Sequence, residues 1–350
     1  MTLLYVGTYT EAPSSGRGIH ILRLDEAAGT LAEIDVCDGI RNPSYLALGP
    51  DKRVLYAVTE LNDLRGAASA FAIDPATARL TLLNTEPTHG SDPCHLTVDH
   101  AGKNLLVANY TSGHVTVQPI KADGALGPAS QVVALTGSSL NPTRQAGPHA
   151  HAVVLDEAGR HLFVADLGAD RILIYRYDNG ALTPHDPPFV TTAPGAGPRQ
   201  IKLHPSLPHA YVLNELASTL THYAYDQAAA RLSERHTHST LPAGFTGTST
   251  CAELQIAPSG RFVYGSNRGH DSLAGFAIAP DTGELTAIGH TPTGGATPRN
   301  FAIHPNGEWV LTANQDSGTI MLFRANPHTG ALTPTGAVAK VGSPVCIVFL

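Results

Sequence analysis

One hairpin recurs along this chain, and the recurrence constrains the fold more than any other feature. Pro198-Arg199-Gln200-Ile201-Lys202-Leu203-His204-Pro205 matches Pro298-Arg299-Asn300-Phe301-Ala302-Ile303-His304-Pro305. Each leads through a turn into a second apolar run, His209–Asn214 and Trp309–Asn314. An alternating third run follows, as in Arg171–Tyr177 and Thr319–Arg324. A turn and a short fourth run close the unit, as in Asp178-Asn179-Gly180-Ala181-Leu182 and His328-Thr329-Gly330-Ala331-Leu332. The runs are short, rich in β-branched and aromatic residues, and bounded by Gly, Pro, Asn and Asp, which is a strand pattern rather than a helical one.

Counted from the start of the first strand, units begin at Pro43, Pro93, Ala150, Pro198, Cys251, Pro298 and Pro344, spaced 46 to 57 residues apart. The last has a single strand, Pro344–Leu350. Its missing strands stand at the other end, in Leu3–Gly7, Gly18–Leu24 and Ala28–Leu31. A split unit whose halves complete each other brings the termini together. The pattern therefore predicts an all-β, seven-bladed β-propeller of four-stranded blades, its ring closed by pairing the C-terminal strand with the N-terminal strands. Closure removes the sheet edges that invite aggregation. A pair of β-sandwiches does not account for seven agreeing registers. Trp-Asp dipeptides are absent and Trp309 is the only tryptophan, which argues against a WD40 propeller. The Pro- and Gly-rich stretches Thr136–Pro148 and Leu241–Thr250 read as long loops between blades, so residues 1–350 read as one domain.

Composition narrows the partners. Net charge is −7 with no basic run, which excludes duplex nucleic acid as the main partner. No apolar run approaches the roughly 20 residues of a membrane helix. The N-terminus lacks the basic and apolar regions of a signal peptide. Cys37, Cys94, Cys251 and Cys346 are scattered, which fits a reducing cytoplasm better than a disulfide framework or a zinc site. A monomer or weak homo-oligomer is expected.

In a propeller the first strand of each blade lines the channel, and the second runs back antiparallel. The start of the first and the end of the second therefore meet at one mouth. The strand-start positions read Ser44, Cys94, His151, Arg199, Ala252, Arg299 and Val345. The strand ends give two further rings. One is nearly uniform: Thr8, Thr59, Asn109, Asp166, Asn214, Asn267 and Asn314. Such short polar side chains bond nearby backbone, a structural task. The other reads Tyr9, Glu60, Tyr110, Leu167, Glu215, Arg268 and Gln315. His151, Arg199, Glu215, Arg268 and Arg299 fall on four successive blades, and strand pairing asks for none of them. They either plug the channel as an ion-pair network or form an anion-binding catalytic pocket.

The residue types suit acyl chemistry on an anion. Arginine binds carboxylate or phosphate bidentately and can stabilise an oxyanion. Glutamate among arginines stays ionised and serves as base or orienter. Histidine titrates near neutrality and suits proton transfer. Hydrolysis of an anionic lactone, or the reverse closure, fits this set. No GxSxG, P-loop or dinucleotide fingerprint is present, and Cys94, on what the sequence places as a distant blade, reads as a buried small residue. His149 and His151 alternate on a strand and could both ligate a metal, but no third ligand is apparent; no metal or cofactor is expected. The turn histidines His100, His204 and His304 and the loop histidines His236 and His238 read as exposed or capping.

Gly147-Pro148-His149-Ala150-His151, Ala165-Asp166-Leu167-Gly168 with Asp170-Arg171-Ile172, Gly195-Ala196-Gly197-Pro198-Arg199 and Leu213-Asn214-Glu215-Leu216 carry a resemblance that spans the chain. The sequence resembles the lactonase family of seven-bladed propellers, which includes one kind of 6-phosphogluconolactonase and is similar to the fungal carboxy-cis,cis-muconate lactonizing enzyme. The resemblance implies His151, Arg199 and Glu215 as the catalytic group, with Arg268 as a further substrate-contacting arginine and His149 as a candidate substrate-binding residue. Arg299, Glu60, Tyr9 and Gln315 join them as candidate substrate-binding positions from the mouth rings. The implied reaction is hydrolysis of 6-phospho-D-glucono-1,5-lactone in the pentose phosphate pathway, with His151 or Glu215 activating water. The alternatives are a muconate-type cycloisomerase, a lactonase for another anionic lactone, and a non-catalytic protein-binding propeller.

Overall fold

The computed structural model describes residues 1–350. Twenty-eight strands form seven four-stranded antiparallel sheets. Blades 1 to 6 are consecutive in the chain: Leu46–Pro87, Pro93–Ala134, Ala150–Thr191, Pro198–Ser239, Thr250–Pro292 and Pro298–Lys340. Blade 7 joins Pro344–Phe349 to the three strands within Thr2–Asp38. Phe349, Val348 and Ile347 pair with Leu4, Tyr5 and Val6, so the split unit closes the ring as its sequence requires. First strands of neighbouring blades touch all the way round, blade 7 to blade 1 included.

The apolar core is not central. It is divided into clusters that each lie between two blades. Phe163 and Ile172 of blade 3 pack on Ile201, Val212 and Tyr223 of blade 4. Trp309 and Leu311 of blade 6 pack on Leu4, Leu22 and Ile347 of blade 7. Side chains alternate across a strand. Val212 accordingly faces blade 3, while Tyr211 and Leu213 face blade 5. Both faces of each inner strand are thus buried, which explains why these runs are continuously apolar. Because the blades bury their apolar faces against each other, the channel at the centre is left to polar side chains.

The turn histidines differ in part from expectation. His204 and His304 are buried, not exposed. They do cap: His204 Nδ1 accepts from the N–H groups of Ser206 and Leu207, and its Nε2 donates to Gly260 O in the next blade. His100 makes the same link to Asp156 O. His236 and His238 are not in a loop but in the outer strand Arg231–Ser239 of blade 4.

Candidate active site

The first strands are interrupted at one recurring place. Pro198 pairs with Asn214 and Gln200 with Leu213, leaving Arg199 unpaired. His151, Arg299, Cys94 and Val345 are skipped in the same way. A bulged residue leaves the ladder and its side chain is re-aimed. Each bulge here turns its side chain into the channel mouth, and this is the physical basis of the strand-start ring.

The facing positions are held just as regularly. The N–H of Glu215 donates to Gly197 O at 2.7 Å, that of Leu167 to His149 O at 3.0 Å, and that of Gln315 to Thr297 O at 2.9 Å. The turn before Arg199 is clamped by Asp170, whose carboxylate accepts from Gly195 N at 2.6 Å and Gly197 N at 2.7 Å. Gly197 has φ +65, and an added Cβ would meet Leu216 at 2.6 Å, so the turn requires glycine there. Asp166 does the equivalent for blade 3, accepting from His149 N at 2.7 Å. Members of the uniform ring turn inward on their own blades: Asn214 Nδ2 donates to Thr219 and Thr221, and Thr8 donates to Gly18 O.

Two carboxylate-centred clusters face each other across the mouth. In the first, Glu215 meets Arg199 Nη1 at 2.5 Å, Arg144 Nη2 at 2.7 Å and Arg268 Nη2 at 3.2 Å. Arg199 is fixed further by donation from Nε to Ala252 O, and Arg268 by donation to Cys251 O. Burial alone would push the Glu215 carboxyl up; Arg199, Arg268 and Arg144 outweigh it and hold the group well below the usual carboxylate range. Arg268 is pushed down to about 10 by burial and by Arg199. Its Nε is buried and has no partner.

The second cluster centres on Glu60, which accepts from Tyr9 Oη at 2.9 Å and from Ser44 Oγ. Arg299 Nη2 lies 3.8 Å away, and its guanidinium sits 5.2 Å from the Tyr9 ring centre. Blades 6, 7 and 1 supply this group. Arg299 makes no hydrogen bond within the protein, so its donors are free for a ligand.

His151 lies between the clusters. Burial, then Arg199 and Arg299, lower its pKa well below the ordinary imidazole value, and Glu215 only partly offsets them. It is therefore neutral at pH 7. Its Nδ1 is 3.8 Å from Cys94 Sγ, and its edge meets the Tyr110 ring at 5.3 Å. His149 stacks on the same ring at 4.4 Å and donates from Nδ1 to Tyr110 O at 2.9 Å. Both histidines thus gather on Tyr110. Cys94 is not on a distant blade: its bulge sits next to that of His151. Burial raises its thiol pKa, so it is a packed thiol rather than a nucleophile.

His151, His149, Arg199, Glu215, Arg268, Arg299, Glu60 and Tyr9 are therefore brought together. Gln315 is not, since its amide donates to Asp316 on the rim at 3.0 Å. Two features escape the sequence reading. Arg144 enters the first cluster from the Thr136–Pro148 loop, and no strand register reaches a loop residue. Beneath the arginines lies a second polar layer. Glu253 accepts from Asn300 Nδ2 at 2.9 Å and has Lys202 at 3.8 Å, and burial raises its pKa. The signal for it was present one residue past the bulge, at Tyr45, His95, Gln200, Glu253 and Asn300, which are polar or aromatic where a buried strand would be aliphatic.

A small cavity of about 10 Å³ joins these layers, lined by His151, Arg199, Arg299, Glu60, Gln200 and Glu253 among others. A larger cleft, about 440 Å³, opens between blades 1 and 2 near Gly49, Tyr56 and Gly124, at the opposite face of the ring. It lacks any convergent set of buried charges.

Fold and site together define a seven-bladed propeller with a basic pocket and a neutral histidine at its mouth. Residues 3–349 match the family model described as Lactonase, 7-bladed beta-propeller, and the chain belongs to that family. A Bacillus subtilis 6-phosphogluconolactonase is 36% identical over 295 residues, covering 84% of this chain and 83% of its own. A Pectobacterium carotovorum 6-phosphogluconolactonase is 34% identical, covering 81% of each chain. The structure of a Pseudomonas aeruginosa periplasmic gluconolactonase superposes with a TM-score of 0.94 at 37% identity, covering 100% of this chain and 99% of that one.

Proposed function

We propose that this protein hydrolyses a sugar lactone, 6-phospho-D-glucono-1,5-lactone, to 6-phosphogluconate, with no metal in the step. The observation that carries this reading is a neutral, buried histidine beside arginines with unused donors, in a family whose relatives bear lactonase names. His151 removes a proton from water as the water oxygen attacks the lactone carbonyl carbon. Negative charge gathers on the carbonyl oxygen, where Arg299 and Arg268 supply donors. The ring C–O bond then breaks, and the leaving ring oxygen takes the proton back from His151. The imidazolium between these steps is stabilised by Glu215 and opposed by Arg199 and Arg299.

Glu215 serves as anchor rather than base. A carboxylate held by three guanidiniums is too weakly basic to take a proton from water. Arg199 is locked by the same contact, which leaves Arg268 and Arg299 as the ligand-facing cations among the strand-borne arginines.

The test is the hydrolysis rate of freshly made 6-phosphogluconolactone against its spontaneous rate, in a panel that includes glucono-1,5-lactone and cis,cis-muconates. Acceleration of the phosphorylated lactone above all others supports the proposal. Turnover of muconates alone would assign ring closure instead, and no turnover of anything would favour a binding propeller. No helix is long and apolar enough to cross a membrane. Four unpaired cysteines fit a reducing compartment, and we place the protein in the cytoplasm as a monomer or weak homo-oligomer. Cell fractionation and sedimentation check both.

A further inference from the structure

Arg144 differs from the other arginines of the mouth in origin and in exposure. Arg199, Arg268 and Arg299 stand on strands of the ring, and their side chains are 6%, 16% and 19% exposed. Arg144 comes from the long loop between blades 2 and 3, and its side chain is 38% exposed. One of its terminal nitrogens, Nη2, meets both Glu215 at 2.7 Å and Tyr110 Oη at 3.0 Å. Nε and Nη1 have no partner in the protein. Glu215 Oε1 is shared with Arg268, so Arg144 marks the outer edge of that cluster.

The loop that carries it is held in place. Gln145, fully buried, donates from Nε2 to Leu167 O at 2.9 Å and accepts at Oε1 from Asn141 N at 3.1 Å. Asn141 Oδ1 in turn accepts from Arg144 N at 3.1 Å. Arg144 is thus presented from a fixed backbone, and little ordering entropy is lost when it binds a ligand.

Charge at the mouth points to what that ligand carries. Four guanidiniums, of Arg144, Arg199, Arg268 and Arg299, face two carboxylates, of Glu60 and Glu215. His151 is neutral, and Lys202 lies beside Glu253 in the layer below. Within these two clusters the surplus is two positive charges. A neutral lactone leaves this surplus in place, whereas a phosphomonoester dianion cancels it. The proposed reaction puts the carbonyl at His151 and Arg299. The phosphate hangs outside the lactone ring on C6, bonded to the same C5 that carries the ring oxygen, and Arg144 is the arginine at the rim with open donors to meet it.

We infer that Arg144 is the distal-phosphate subsite and the residue that separates phosphorylated from unphosphorylated sugar lactones. The assignment deepens the proposed lactonase function and depends on it for the identity of the substrate. Guanidinium–phosphate hydrogen bonds of this kind correspond to roughly 10- to 100-fold in affinity.

Two measurements on the full chain test it: kcat and KM for 6-phosphogluconolactone and glucono-1,5-lactone, and calorimetric titration with 6-phosphogluconate. Arg144→Ala is expected to lower the phosphorylated-to-neutral ratio of kcat/KM about tenfold or more, chiefly through KM. It should weaken 6-phosphogluconate binding by a similar factor, and Arg144→Lys should recover part of both. Equal losses on the two lactones, with 6-phosphogluconate bound as in the wild type, would assign Arg144 to holding Glu215 and overturn the inference. If the wild type accelerates neither lactone, the proposed reaction falls, and the 6-phosphogluconate titration alone still decides Arg144.

Discussion

Replacing Glu215 by glutamine keeps the shape of the side chain and removes its charge. The wild-type carboxylate is 2% exposed and meets three guanidiniums at 2.5, 2.7 and 3.2 Å. Without it, the buried Arg199 and the largely buried Arg268 have only a neutral amide oxygen and backbone carbonyls as partners, and they repel each other. Breaking a buried pair from one side costs about 3–5 kcal/mol. Unfolding entropy of about 2.1 cal/mol/K per residue converts this, over 350 residues, to a fall in Tm of about 4–7 °C. The effect must depend on pH with a definite sign. The folded-state pKa of Glu215 lies well below its unfolded value, so its stabilisation is complete above an unfolded pKa of about 4.3 and is lost as pH falls through the folded value. Wild type and Glu215→Gln should therefore differ by the full amount at pH 7 and converge in strong acid. Denaturant titrations followed by the emission of Trp309, buried between blades 6 and 7, measure the difference at each pH. A loss below about 1 kcal/mol at pH 7, or a gap that does not narrow in acid, would refute the view that this carboxylate is the anchor of the arginines.

Two further outcomes follow from the same geometry. His151→Asn should lower kcat by about 10²- to 10⁴-fold with the fold intact by circular dichroism, and the acid limb of the wild-type pH–rate profile should lie well below the ordinary imidazole range, because the neutral base form persists there. Deleting Pro344–Leu350 should abolish cooperative unfolding and produce aggregates on size-exclusion chromatography. The deletion bares the edge of strand Thr2–Thr8 and removes the buried Val345, Cys346 and Ile347, a loss of roughly 5 kcal/mol or more at about 1.5–3 kcal/mol per buried side chain.

The ring positions were legible because their cause is local and repeats. The same bulge recurs from blade to blade, so Arg199 and Arg299 stand at the same offset from Pro198 and Pro298, and reading across the repeats isolates what departs from them. Glu60 and Tyr9 were reachable in the same way. Their partnership with Arg299 was not, because it joins blades 6, 7 and 1 across the channel. Gln315 shows the converse: its register is that of Glu215, yet Asp316 beside it captures its amide. Cys94 failed for a related reason, since distance along the chain says little about distance around a closed ring.

The sequence by itself determined the strand pattern, the number of blades, the closure of blade 7 and the residue types at the mouth. These depend on short-range periodicity and on a repeat that each unit restates. Tertiary structure alone decided how the charges are shared. It delivered Arg144 from a loop outside every register, placed Glu253 and Lys202 in a layer beneath the arginines, and set Glu215 as the anchor while leaving His151 neutral. Those outcomes depend on burial and on distances of a few ångströms between separate blades, and the energy of a charge depends steeply on both.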